Sequence, residues 1–234
     1  MKVQIWSDIV CPFCYIGKRR YEAALQQFDH KDDIEMEFKS FQLDPNAEKG
    51  TDKDLHQSLA TKYGVSYEEG KAMNDRMTEQ AKEVGLDYHL DHAIPTNTED
   101  AHRLSYYAKQ HGKMNQMMER IMHAYFTESL DVGDHETLVK LAGEVGLDQE
   151  DTRQILSDGA FKQEVQVDQQ QAAQIGVQGV PFFVFNQKYA VSGAQPTETF
   201  LEVLEKVWKE ENEQSPIQMI NNAGEQCTDD NCDI

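Results

Sequence analysis

Residues 2–6 alternate polar and apolar side chains, with Val3 and Ile5 set against Gln4, and run straight into Ser7-Asp8-Ile9-Val10-Cys11-Pro12-Phe13-Cys14. From Cys14 to about Phe28 the apolar spacing turns helical. A Cys-x-x-Cys pair therefore falls at a strand-to-helix junction, on the first helical turn. Unpaired backbone N–H groups and the positive end of the helix dipole point at the first sulfur there, which suits Cys11 to act as an attacking thiolate. Pro12 fits a first turn that needs no intrahelical N–H. Cys14, one turn further in, is placed to close a disulfide with Cys11 and release a bound substrate.

The rest of the chain is organised around that junction. Ile34, Met36 and Phe38 alternate with Glu35, Glu37 and Lys39, which predicts a half-buried strand over 34–40 and a strand–helix–strand unit. Phe41 and Leu43 fall on the opposite phase, and Asp44-Pro45-Asn46 is a turn. Residues 52–175 are helical throughout. Helices are expected over 52–63, from Ser66-Tyr67-Glu68-Glu69 (a capping box) to Gly85, from Asn97-Thr98-Glu99-Asp100 onward, and over 114–126, 134–144 and 161–175, with a short one from Asp148. A strand pattern returns at Val180-Pro181-Phe182-Phe183-Val184-Phe185, turns at Asn186-Gln187 and runs on to Ser192 before an amphipathic helix bearing Phe200, Leu204 and Trp208. A βαβ half and a ββα half thus bracket an all-helical insert. This is the plan of an α/β thioredoxin fold with a central mixed sheet interrupted by a large helical insertion domain. The expected divisions are 1–50 and 176–212 for the two thioredoxin-fold parts, 51–175 for the insertion and 213–234 for a polar tail.

Composition narrows the function. With Lys+Arg 22 against Asp+Glu 42, the 234-residue chain carries a formal charge of −20. Such a field disfavours nucleic acid and anionic membrane surfaces as partners, and most of it serves as solvated surface. No apolar run approaches the ~20 residues of a membrane span, and Cys11 lies where a signal peptide would be. The expected location is the cytoplasm, where Cys-x-x-Cys indicates redox or metal chemistry rather than a structural disulfide.

Several of these segments resemble the DsbA-type thioredoxin-fold oxidoreductases, specifically their cytosolic FrnE-like branch. The resembling segments are Ser-Asp-Ile-Val-Cys-Pro-Phe-Cys-Tyr-Ile-Gly-Lys at 7–18, Glu99-Asp100-Ala101-His102-Arg103, Gly179-Val180-Pro181-Phe182-Phe183 and Ser192-Gly193-Ala194-Gln195. The resemblance implies a cis Val180–Pro181 bond in a loop facing Cys11, with Val180 offering its backbone to an extended substrate peptide. It implies disulfide exchange with disulfide-containing or unfolded proteins, and glutathione or a thioredoxin system as redox partner, with no bound cofactor. Many oxidising members carry a histidine inside the motif. Pro12-Phe13 supplies no such charge, and Lys18 is expected at an exposed position a turn or more away. A less oxidising couple follows.

Cys227 and Cys232 lie in the polar tail. The stretch from Glu213 to Cys227 spans up to roughly 45 Å when extended, against a radius of gyration of roughly 17–18 Å for a globule of this length. The pair can therefore reach Cys11 and serve as an accessory redox pair, as in some FrnE-like members; the plainer reading is a disordered tail. A zinc site built from all four thiolates is disfavoured by their separation, and no metal is expected. His102 is a candidate substrate contact, set against the plainer reading of a packed helix histidine. Met114, Met117, Met118 and Met122 fit core packing better than a peptide groove. Two alternatives to disulfide exchange remain open. One is a glutathione-binding transferase or aromatic carboxylate isomerase of the same fold, disfavoured by retention of both thiols. The other is a redox-linked holdase.

Overall fold

A computed structural model describes residues 1–49 and 54–212. Strand β1 (Lys2–Ser7) leads into helix α1 (Pro12–Gln27), and β2 (Glu35–Ser40) returns beside β1. Seven helices follow: α2 (Leu55–Tyr63), α3 (Tyr67–Glu83), α4 (Glu99–Gln110), α5 (Met114–Phe126), α6 (His135–Glu144), α7 (Gln149–Asp158) and α8 (Lys162–Gln174). The hairpin β3 (Phe182–Phe185) and β4 (Tyr189–Ser192) then precedes α9 (Thr197–Asn212). The sheet order is β2-β1-β3-β4, with β1 and β2 parallel and the other two pairs antiparallel. This is the mixed sheet and helical insertion expected of a thioredoxin-like α/β chain.

Period-two alternation sorts the sheet faces. Ile5 pairs with Phe183 and Val3 with Phe185 in register, and all four are buried. Tyr21 of α1 meets Phe183, Phe185 and Phe200 there at ring-centroid distances of 5.6–6.3 Å, which locks α1 and α9 to this face. Trp6, Phe182 and Val184 point the other way, onto Ala172 of α8 and Val177. Asp168 docks α8 on that face: its carboxylate accepts from the Ser40 amide (2.8 Å) and the Tyr106 hydroxyl, and its carbonyl accepts from the Trp6 indole (2.9 Å).

The strand β2 departs from the half-buried pattern. Glu37 is buried beneath Lys2, Lys39 and Lys109. Burial pushes its carboxyl up, but hydrogen bonds from Lys109 and Lys2 outweigh that and hold it at about 2. The convergence of lysines from β1, β2 and α4 on this carboxylate explains the difference. Strand β3 begins at Phe182 rather than Val180, because Val180–Pro181 precedes the ladder. Asn186 and Gln187 take positive φ of 48° and 56° in the hairpin turn, which Lys188 closes by donating its N–H to the Phe185 carbonyl (2.9 Å).

Helix starts follow their capping residues. Asp54, Ser66, Asp134 and Asp148 each accept a backbone N–H of the first turn, and Ser66 with Glu69 forms a complete capping box. At α4 the start expected over 97–100 is capped by Asn97, whose Oδ1 accepts from Glu99 N at 2.9 Å, while Thr98 makes no side-chain bond. Helix α4 is buried from Asp100 to Ala108, making it the spine of the insert. Met114, Met117, Met118 and Met122 are buried as well, so they pack the core and line no groove.

Candidate active site

Cys11 is the N-cap of α1, extended at φ −88° and ψ 114°, and its side chain caps nothing. Its sulfur is left free for chemistry while Pro12 takes the first helical position. The turn is held from both sides: Cys11 N donates to the Asp8 carbonyl (3.2 Å) and Cys14 N to the Cys11 carbonyl (3.0 Å). Both cysteines are thiols, 4 % and 2 % exposed, whereas Phe13 between them is 39 % exposed. The motif thus presents an apolar ring to solvent and keeps its sulfurs just beneath the surface.

Burial raises the Cys14 thiol well above its ordinary range, and the adjacent Cys11 adds to the effect. Burial of this kind favours the neutral thiol at Cys14.

From the far half of the chain, the Val180–Pro181 loop closes over the motif. The peptide is cis, and the Cys11 thiol donates to the Val180 carbonyl at 3.6 Å. Val180 is half-buried and Pro181 buried. Gly17 makes this approach possible: a Cβ there would stand 2.9 Å from Pro181 Cγ and 3.4 Å from Ala194. Gly193 N donates to the Pro181 carbonyl (2.8 Å), and the Arg20 guanidinium donates to the Ala194 carbonyl (2.6 Å), tying the loop after β4 to the same helix. Cys11, Cys14, Pro12, Phe13, Val180 and Pro181 are thus brought together.

His102 lies beneath the site rather than in it. It is 1 % exposed, and its Nε2 stands 3.4 Å from Asp8 Oδ1. The other Asp8 oxygen accepts from Leu43 N at 2.8 Å, so Asp8 joins the motif turn to the segment after β2. His102 packs against this support. Lys18 departs from its expected exposure: it is 3 % exposed and ion-paired to Glu22 (2.6 Å) and Glu119 (2.5 Å). Burial pushes Glu119 up, but Arg19 and Lys18 hold it at about 2. The lysine charge is neutralised where it sits, by a partner on α5 that local pattern cannot reveal.

Sequence reasoning missed Tyr88, whose hydroxyl donates to the Pro12 carbonyl at 2.8 Å. The polar–apolar alternation of residues 86–91 could have marked the ring as buried, but nothing local names its partner. Cys227 and Cys232 lie outside the described residues. Among the described residues, no group of three or more His, Cys, Asp or Glu side chains is arranged to hold a metal ion, and no helix is long and apolar enough to cross a membrane.

Comparison with known proteins places this arrangement. Residues 2–205 match the DSBA-like thioredoxin domain family. The chain is similar to a probable DsbA oxidoreductase from Streptomyces coelicolor, with 41 % identity and a TM-score of 0.86 over 94 % of each chain. It also resembles the uncharacterized protein YwbO of Bacillus subtilis (strain 168), at 29 % identity over 62 % of this chain and 66 % of that protein, just under two thirds of its length. The cytosolic disulfide reductase DsbM of Pseudomonas aeruginosa shares the fold, with a TM-score of 0.63 and 14 % identity over 90 % of this chain and all of that one.

Proposed function

The chain belongs to the DSBA-like thioredoxin domain family, and we propose that it is a thiol–disulfide oxidoreductase acting on protein disulfides, with isomerase capacity. The observation that carries the reading is the juxtaposition of Cys11, on a helix N-terminus, with the Val180 carbonyl at 3.6 Å. That sets a nucleophilic sulfur beside a backbone acceptor that, once the thiol has lost its proton, is free to pair with an extended peptide.

In this reading the Cys11 thiolate attacks one sulfur of a substrate disulfide. The substrate S–S bond breaks, a mixed disulfide forms and one substrate thiolate leaves. Cys14 then attacks Cys11 Sγ, and its proton passes to the departing substrate thiolate. The second substrate sulfur is released, and the chain retains a Cys11–Cys14 disulfide. The substrate has gained two electrons; run backwards, the same steps oxidise it. The high thiol pKa of Cys14 prolongs the mixed disulfide, which gives another substrate thiol time to attack and reshuffle the pairing. Phe13 and Val180 supply apolar contact to unfolded segments, and Pro181 shapes the surface between them. Glutathione or a thioredoxin system would reset the couple in a cytoplasmic setting. Cys227 and Cys232 are proposed, from the reach of the tail and its resemblance to FrnE-like members, as an accessory pair exchanging with the motif.

The test is trapping. Cys14→Ser, incubated with a disulfide-bonded protein, should accumulate a covalent adduct at Cys11 that dithiothreitol releases, and Cys11→Ser should form none. Glutathione held without exchange, and no adduct, would overturn this reading in favour of the transferase or isomerase alternative.

A further inference from the structure

The segment joining α3 to α4 has no regular structure, yet it is built like a strand. Leu86, Tyr88 and Leu90 are buried, while Asp87, His89 and Asp91 are exposed. Its backbone is fixed to the end of α5: His89 N donates to the Phe126 carbonyl at 2.7 Å, and Thr127 Oγ1 donates to the Asp87 carbonyl at 2.7 Å. The Tyr88 ring stacks on Phe126 (4.4 Å between centroids, 19° between planes) and faces Tyr15 (6.3 Å). At 3 % exposure its one polar atom has a single destination, the Pro12 carbonyl inside the cysteine motif. A buried hydroxyl on a rigid support, aimed at the backbone between two reacting sulfurs, does more than fill space.

We propose that Tyr88 is a positioning residue for the dithiol: it clamps the Cys11–Pro12–Phe13–Cys14 turn so that Cys14 stays in line with Cys11 Sγ during resolution of the mixed disulfide. The clamp is supplied by the insertion, so the helical insert sets the behaviour of a motif carried by the other part of the chain. Intramolecular attack depends steeply on alignment, and only the resolving step needs both sulfurs in register. The first step, attack of Cys11 on an external disulfide, does not.

The inference rests on the oxidoreductase reading and makes a separate prediction. With glutathione disulfide as oxidant, the Cys11 thiolate displaces one glutathione thiolate and forms a Cys11–glutathione mixed disulfide. Cys14 then displaces the second glutathione, which leaves as thiol, and the two protein sulfurs are oxidised together. Loss of the clamp slows only the second displacement.

The experiment uses the full chain carrying Cys227→Ser and Cys232→Ser, quenched with acid at intervals and analysed by mass spectrometry. In Tyr88→Phe the ratio of mixed to internal disulfide should rise about fivefold, as expected for losing a hydrogen bond of about 1 kcal/mol. Thr127→Val, which loosens the support and leaves the ring in place, should move the ratio the same way by about twofold, and it keeps the test decisive if Tyr88→Phe does not fold. Tyr15→Phe removes the neighbouring hydroxyl, which bonds Glu119 instead, and should leave the ratio unchanged. An unchanged ratio in both Tyr88→Phe and Thr127→Val, or an equal rise in Tyr15→Phe, would overturn the proposal. An unsubstituted motif that forms no internal disulfide would instead overturn the oxidoreductase reading.

Discussion

Asp100 offers the most direct test of what holds the insert together. It is 3 % exposed and meets three side chains: Lys49 from the segment after β2, Arg103 one turn along α4, and His135 of α6, the last at 2.8 Å. Burial pushes its carboxyl up, but Lys49, His135 and Arg103 outweigh that and lower it from 3.8 to about 2. At about 1.4 kcal/mol per unit, the charged carboxylate contributes about 2.5 kcal/mol relative to its protonated form. Stripping one partner from a buried ion pair commonly costs about 3–5 kcal/mol. Arg103, however, also donates to the carbonyls of Ile155, Leu156 and Ala160, so its charge stays solvated by the end of α7 and the lower figure applies. Asp100→Asn should therefore cost about 2–3 kcal/mol at pH 7, read from urea unfolding at constant m-value. The sign of the pH dependence follows from linkage. A carboxyl whose folded pKa is depressed contributes fully above its unfolded value, and loses that contribution as pH falls through the folded value. The gap between Asp100→Asn and the unsubstituted chain should hold steady down to about pH 4 and close towards pH 2. A difference under about 0.5 kcal/mol at neutral pH, or a gap that persists at pH 2, would refute the account.

Gly17→Ala should separate activity from folding: its methyl meets the Pro181 ring at 2.9 Å, so the loop must move off Cys11 or the helix must shift. The expected results are a stability loss of about 1–3 kcal/mol by overpacking and at least tenfold slower disulfide exchange in an insulin-reduction assay. Glu119→Gln leaves Lys18 and Arg19 sharing Glu22 alone; we expect about 2 kcal/mol of destabilisation after allowing for the carboxylate being one-third exposed, diminishing as pH falls towards 2. Double substitution of Cys227 and Cys232 by Ser should slow turnover of a protein disulfide if the tail relays electrons. Unchanged turnover would remove the relay from the reaction.

The parts legible in the sequence are those governed by local chemistry. Ser66 with Glu69, Asp134 and Asp148 start helices because a side-chain oxygen three residues or fewer from an orphan N–H is a local fact. Helix α5 runs from Met114 to Phe126 as its apolar spacing indicates. Cys11 and Pro12 fall at the start of α1 for the same reason. What escaped depended on distant partners. Lys18 is buried because Glu119 waits 101 residues away, Glu37 because three lysines converge on it, and Tyr88 reaches Pro12 across 76 residues. Charged residues on a helix or strand default to solvent in any periodicity argument, so buried ion pairs are where such arguments fail.

The sequence separation of 169 positions from Cys11 to Val180 also has a meaning during synthesis. A ribosome adding roughly 5–20 residues per second releases the cysteine motif some ten to thirty seconds before the loop that covers it. Throughout that interval the nascent chain carries two thiols on an uncovered βαβ fragment, while helices α2–α8 emerge and begin to pack. For a chain of this architecture, the two thiols stay uncovered until the other half of the fold arrives.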